Sequence, residues 1–187
     1  SAFRELVYGD HPYGRSQNGT MESATALTRD DLIAAHKGAL AKDRVFVSAV
    51  GDIDAAELSA LMDHLLGGLP ETGAPLIGPA DLNFPGGVKV VPFETPQSVG
   101  IFGQKGIDRE DPDFFPAFIL DVILGGGSFE SRLMQEVREK RGLTYGVYSY
   151  LVDKDQAKLW MGSVASANDR VAQAVQVIRD EWARLAD

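Results

Sequence analysis

The chain has 187 residues, 44% of them apolar and 24% charged, and a formal net charge of −9 from 27 acidic against 18 basic side chains. A chain of this length buries roughly 70% of its unfolded surface, so one domain or two small ones stand without a metal or disulfide staple, and no apolar run approaches the ~18 residues of a membrane span. The acidic balance argues against a nucleic-acid partner, and the absence of cysteine removes disulfides, thiolate zinc sites and thiol nucleophiles together.

The opening SAFRELVYGD has neither the basic region nor the apolar core of a secretory signal, and reads as a chain entered midway. HPYGRSQNGT (11–20) is a loop by its turn residues, with His11 bracing it. Thr28 and Asp31 fit a helix-start box, and Leu32, Ala35, Ala39 and Leu40 then fall on one side of a helix. RVFVSAV (44–50) reads as a buried strand, followed by a turn and a helix carrying Leu58, Leu61, Met62 and Leu65, closed by Gly67 and Gly68. Residues 70–87, rich in Pro and Gly and without periodicity, read as a linker.

Beyond it, VKVVPF (88–93) and SVGIFGQKGI (98–107) read as strands, and DPDFFPAFILDVILGGG as a helix with Pro112 near its first turn and Pro116 tightening its entry. SFESRLMQEVREKRG predicts a second helix with Leu133, Met134 and Val137 inward and Gly142 ending it. LTYGVYSYLV and QAKLWMGSVAS alternate like antiparallel strands joined at DKDQ. A last helix starts at Asn168, keeps Val171, Ala174, Val175, Ile178, Trp182 and Leu185 on one face, and stops at Asp187. The order of elements implies an α+β fold of two-layer units, helices on one face of a mainly antiparallel sheet. One unit is expected over 1–69, a linker over 70–87 and a second unit over 88–187.

The three histidines, His11, His36 and His64, lie more than twenty residues apart and form no metal-binding helix motif; His36 and His64 read as surface or helix-end residues. Ser128 follows three glycines but lacks the spacing of a nucleophile elbow. Gly125, Gly126 and Gly127 fit either an anion cradle or a close-packed helix connection. The basic cluster Arg138, Lys140 and Arg141, interrupted by Glu136 and Glu139, fits a solvated helix face. Arg138 and Tyr145 are a potential donor pair, able to grip a peptide carbonyl or carboxylate and to support an oxyanion. The same two residues also fit a surface arginine and a half-buried strand tyrosine.

Three blocks in order, HPYGRSQNGTMESATALTRDDL, VFVSAVGDID and ILGGGSFESRLMQEVREKRGLTYGVYS, resemble the insulinase and pitrilysin superfamily of zinc metallopeptidases in its short, two-subunit, processing-peptidase-like form. The resemblance implies homologous α+β halves arranged as a clamshell around an unfolded peptide. It also implies a zinc held in the first half by an inverted His-x-x-Glu-His helix and a later Glu, with the Glu inside the motif as general base. Those elements would precede residue 1, and Glu5 lies too close to the HPYG loop to be the later ligand. The expectation is therefore no metal in this chain, with zinc in a missing N-terminal region or a partner subunit. The resemblance assigns catalytic and substrate-binding roles to Arg138 and Tyr145, with Gly125 to Gly127 as a substrate contact. The implied function is the substrate-binding, oxyanion-supporting part of a zinc endopeptidase acting on extended peptides, inactive alone and paired with a zinc-bearing half or homologous subunit, a dimer being expected. The alternative is a non-catalytic half kept for assembly or peptide binding. A truncated enzyme and a helper subunit both fit, with the helper favoured; the compartment stays open between bacterial cytoplasm and periplasm.

Overall fold

The computed structural model describes residues 2–186, so the helix end expected at Asp187 lies outside the described residues. They form two compact units: residues 16–77, and residues 2–15 together with 78–186.

In the 16–77 unit, side-chain caps open three helices: α2 (Met21–Ala26), α3 (Arg29–Ala39) and α4 (Ala55–Leu66). Thr20 caps α2, and Thr28 and Asp31 cap α3 reciprocally, each side chain accepting from the other's backbone N–H. Asp54 accepts from the N–H groups of Ala56 and Glu57 at the start of α4. His36 and His64 are exposed in the last turns of α3 and α4. The strand expected over 44–50 does not form. Lys42–Arg44 make a single 3-10 turn, and the residues beyond run without a sheet partner, Phe46 and Val50 standing almost fully exposed. A strand needs a neighbour to take up its backbone hydrogen bonds, and the described residues supply none here. The stripe of Leu32 and Leu40 on α3 and of Leu61 and Leu65 on α4 is likewise exposed.

Part of the segment expected as a linker is tied down inside each unit. Lys42 N–H donates to Pro70 O and Ala74 N–H to Gly38 O within 16–77. In the other unit, Ala80 N–H donates to Gln156 O and Asn83 N–H to Val7 O.

The larger unit is built on a three-stranded antiparallel sheet in the order β1-β3-β2, with β1 Gln97–Lys105, β2 Gly146–Lys154 and β3 Ala157–Ala167. The strand expected at 88–93 is absent, with Val88, Val90 and Phe93 exposed and unpaired for the same reason as 44–50. β1 and the β2–β3 hairpin are where the alternation of the sequence places them, Val147 standing opposite Val164 and Gly162 opposite both Phe102 and Ser149. One face carries the helices: α5 (Phe114–Asp121), continued by a π-wound turn to Gly126, then the π-wound segment Met134–Glu139 and α6 (Val171–Ala186). Pro112 lies ahead of α5, whose N-cap is Asp113, and Pro116 falls in its first turn. α6 begins three residues after Asn168, which instead bonds Thr95 O and the Ser98 hydroxyl at the start of β1.

Leu124, Leu133, Met134 and Val137 bury against Val147, Val164, Ala174 and Ile178, the core the helical spacing implies. Trp160 donates its indole N–H to the buried Asp121 at 2.6 Å, fastening α5 to β3. Glu181 on α6, 3% exposed, accepts two hydrogen bonds from Arg132 and one from Arg184, so its buried charge is paired. On the other face lies a helix the sequence does not announce, α1 (Ala2–Tyr8), whose Val7 and Tyr8 pack with Leu159 and Ala157. His11 braces the turn after it, accepting from Tyr13 N–H while its other ring nitrogen meets Gly78 O.

Candidate functional site

The corner between the π-wound segment and β2 places Arg138 and Tyr145. Gly142, at φ 59°, adopts the left-handed conformation that ends the helix. Its N–H donates to Arg138 O at 2.7 Å and Leu143 N–H to Val137 O at 2.9 Å, so the turn is bonded to the residue that carries the guanidinium. The other side of the corner is stitched to β3: Ser166 Oγ donates to Leu143 O, and Thr144 Oγ1 accepts from Gly146 N–H and lies within hydrogen-bond distance of Ala165 O. Tyr145 sits between these anchors and is 86% exposed.

Both side chains border one open depression of about 420 Å³, shared with Gln97 at the start of β1 and Arg170 just ahead of α6. Neither is in the hydrophobic interior: the Arg138 side chain retains 30% of its exposure. The three cations of the basic cluster are not equivalent. Glu136 holds both Lys140 and Arg141, the latter at 2.6 Å, and these two hydrogen bonds lower its carboxyl from the usual 4.5 to about 2. Among the described residues Arg138 has only Glu139, 3.6 Å from its Nε and beyond hydrogen-bond length. Its donors therefore remain available to a carbonyl or carboxylate entering the depression. Arg170 adds positive charge there; Tyr145 adds an O–H donor.

A carboxyl whose folded pKa is depressed stabilises the fold above its unfolded value and loses that contribution as pH falls through the folded one. The Glu136 network should thus contribute fully above about pH 4.5 and fade toward pH 2. Solvent screening keeps a surface network of this kind under about 1 kcal/mol. In acid titrations of stability, Glu136→Gln is expected to lie slightly below the parent at pH 6 and converge with it near pH 2; a constant offset across that range would show that the carboxylate charge is not what matters.

Gly125, Gly126 and Gly127 do not border this depression. They close the π-wound turn after α5, where a Cβ at Gly125 would fall 2.7 Å from Ser149 N and 2.9 Å from Leu133 Cδ1. Gly125 therefore permits a close approach of helix to strand. The larger depression, about 510 Å³, lies at the other end of the sheet beside Lys105, Asp108 and Lys158. Lys158 there is bound by Asp153 and Asp108, whose hydrogen bonds raise its pKa, so it offers no free cation.

Sequence reasoning did not reach Gln97, Arg170 or the ring of Phe129, which lies 4.6 Å from the Arg138 guanidinium carbon. The first two enter through sheet register and helix packing, which leave no local signal. Phe129 stands inside the Gly-rich block, and an exposed aromatic beside glycines was the available clue.

No three His, Asp or Glu side chains among the described residues are placed to hold a metal ion. No helix among them is long and apolar enough to cross a membrane.

Residues 26–187 match the family described as the peptidase M16 inactive domain. A Streptomyces coelicolor protein named an uncharacterized zinc protease is 30% identical over 99% of this chain, and a Schizosaccharomyces pombe protein named a probable mitochondrial-processing peptidase subunit beta is 27% identical over 96%. The chain spans 42% of the length of each. The crystal structure of a peptidase M16 inactive domain from Pseudomonas fluorescens superposes with a TM-score of 0.85 at 31% identity, covering 98% of this chain and 44% of that one.

Proposed function

Because this chain belongs to the peptidase M16 inactive-domain family, we propose that it is the substrate-gripping part of a zinc-dependent endopeptidase acting on extended peptides. The observation that carries this reading is the convergence of Arg138 and Tyr145 on one open depression, with Glu139 beside Arg138 at 3.6 Å, too far to take up its N–H donors as hydrogen bonds. A guanidinium and a phenol so placed hold a peptide carbonyl or carboxylate in a fixed orientation and donate to the oxygen on which negative charge develops. Neither is a nucleophile or a base near neutral pH, so the pair completes a site rather than constituting one.

The described residues do not fit the zinc that the family implies: cysteine is absent from the sequence, and no cluster of three His, Asp or Glu ligands is present among them. The metal would then be held by residues outside this chain, in another part of a longer protein or in a homologous partner subunit. What this chain supplies is orientation of the peptide and hydrogen bonds to it. Alone it is expected to bind peptide and cleave nothing.

The test is titration of the 187-residue chain with an unstructured, fluorescein-labelled peptide. Arg138→Ala is expected to weaken binding by about 10-fold, the scale of a lost hydrogen bond to a charged group. Affinity that is indifferent to Arg138 and Tyr145 would instead support the second reading, a half kept for assembly. That reading is favoured by the apolar row Phe115, Phe118, Ile119, Val122 and Ile123, exposed along α5 and its continuation.

A further inference from the structure

The geometry points to Phe129 as a positioning residue: its ring, under the Arg138 guanidinium carbon, restrains that group without taking up its N–H donors, which stay free for the bound peptide. The inference rests on the substrate-gripping reading and adds to it a reason for the exposed aromatic in the Gly-rich loop.

The guanidinium carbon of Arg138 lies 4.6 Å from the centroid of the Phe129 ring, well within the range of a cation–π contact. The alternatives for restraining this side chain are weak. Lys140 and Arg141 are fixed by Glu136, which makes no bond to Arg138, and Glu139 is 3.6 Å away, too far for a hydrogen bond. The difference between these restraints matters chemically. A carboxylate fixes an arginine by occupying the in-plane N–H groups that would otherwise reach a ligand, whereas a ring covers the face of the plane and leaves its five donors uncommitted. An aromatic support therefore orders the group without using its hydrogen bonds, and ordering before binding lowers the entropic cost of the complex.

The backbone that carries the ring is itself held. Gln135 donates its side-chain amide to Phe129 O at 3.0 Å, Ser131 N–H closes a turn onto Ser128 O at 3.1 Å, and Gly127 N–H caps the preceding turn at Val122 O. The loop is thus bonded to the helical turns on either side of it. Phe129 nevertheless stays 57% exposed, so burial does not account for an aromatic residue at this position.

The experiment uses the 187-residue chain at pH 6 and reads two signals, the Nε–Hε resonance of Arg138 by 15N NMR and the affinity for the labelled peptide. In the parent, ring current is expected to move the Arg138 resonance upfield, and Phe129→Leu, which keeps an apolar side chain but loses the ring, returns it toward the free-arginine position. Phe129→Leu is expected to weaken peptide binding about 5-fold, while Phe129→Trp retains both the shift and the affinity within about twofold. Thermal denaturation of each variant identifies any that misfolds, and Phe129→Trp alone then decides by whether it keeps parental affinity. An Arg138 resonance that ignores the loss of the ring overturns the proposal. Affinity that falls with Arg138→Ala but not with Phe129→Leu overturns it as well and leaves the substrate-gripping reading standing. Affinity that ignores all these changes overturns both.

Discussion

In the zinc-bearing assembly proposed for this chain, Tyr145→Phe is expected to lower kcat for cleavage of an extended peptide by about 10- to 100-fold, with KM changed by less than about threefold. The substitution removes one oxygen and keeps the ring, so it deletes a donor without deleting a contact. Tyr145 is 86% exposed and takes no part in either apolar core, so the loss cannot be attributed to unfolding. A donor directed at the oxygen that gains charge during attack is worth more in the transition state than in the ground state, and its removal falls on kcat. If instead KM rises and kcat holds, the phenol serves binding alone; if neither moves, Tyr145 has no part in the site. Steady-state kinetics over a range of peptide concentration separates the three.

The second large effect concerns stability. Gly125→Ala is expected to destabilise the unit by about 1–3 kcal/mol in urea unfolding, the usual cost of overpacking. The added methyl would fall 2.7 Å from the backbone nitrogen of Ser149 and 2.9 Å from Leu133 Cδ1. The first neighbour is a strand backbone and the second a fully buried side chain, so neither yields without parting the end of α5 from β2. The folded fraction should keep its peptide affinity within about twofold, because Gly125 does not border the depression. Unchanged stability with a marked loss of affinity would make Gly125 the substrate contact that the family resemblance implied.

The elements most legible in the sequence are those whose signals are local. The Thr28/Asp31 box, the stop at Gly142 and the inward set Leu133, Met134 and Val137 all stand where spacing and capping chemistry put them. So does the β2–β3 hairpin. RVFVSAV and VKVVPF misled because strand propensity describes a surface ready to pair and says nothing about whether a partner is present. α1 was missed for the opposite reason: it carries no periodic stripe long enough to read, and its place is determined by Val7 and Tyr8 packing on Leu159 and Ala157, about 150 residues later in the chain. At the candidate site, the two residues seven apart were legible from the resemblance. The π-winding that carries Arg138, the ring under its guanidinium and the arrival of Arg170 and Gln97 are products of tertiary packing.

Whether the guanidinium and the phenol serve the same carbonyl is decided most directly by a double-mutant cycle on cleavage, measured in single turnover with the zinc-bearing part present. Arg138→Ala, Tyr145→Phe and the double variant are each compared with the parent. If both groups hold one oxygen, the double variant is little slower than the slower single variant, and the coupling energy exceeds about 1 kcal/mol. Losses that simply add would place the two groups on separate parts of the peptide, and a parental rate in all three would remove them from the reaction.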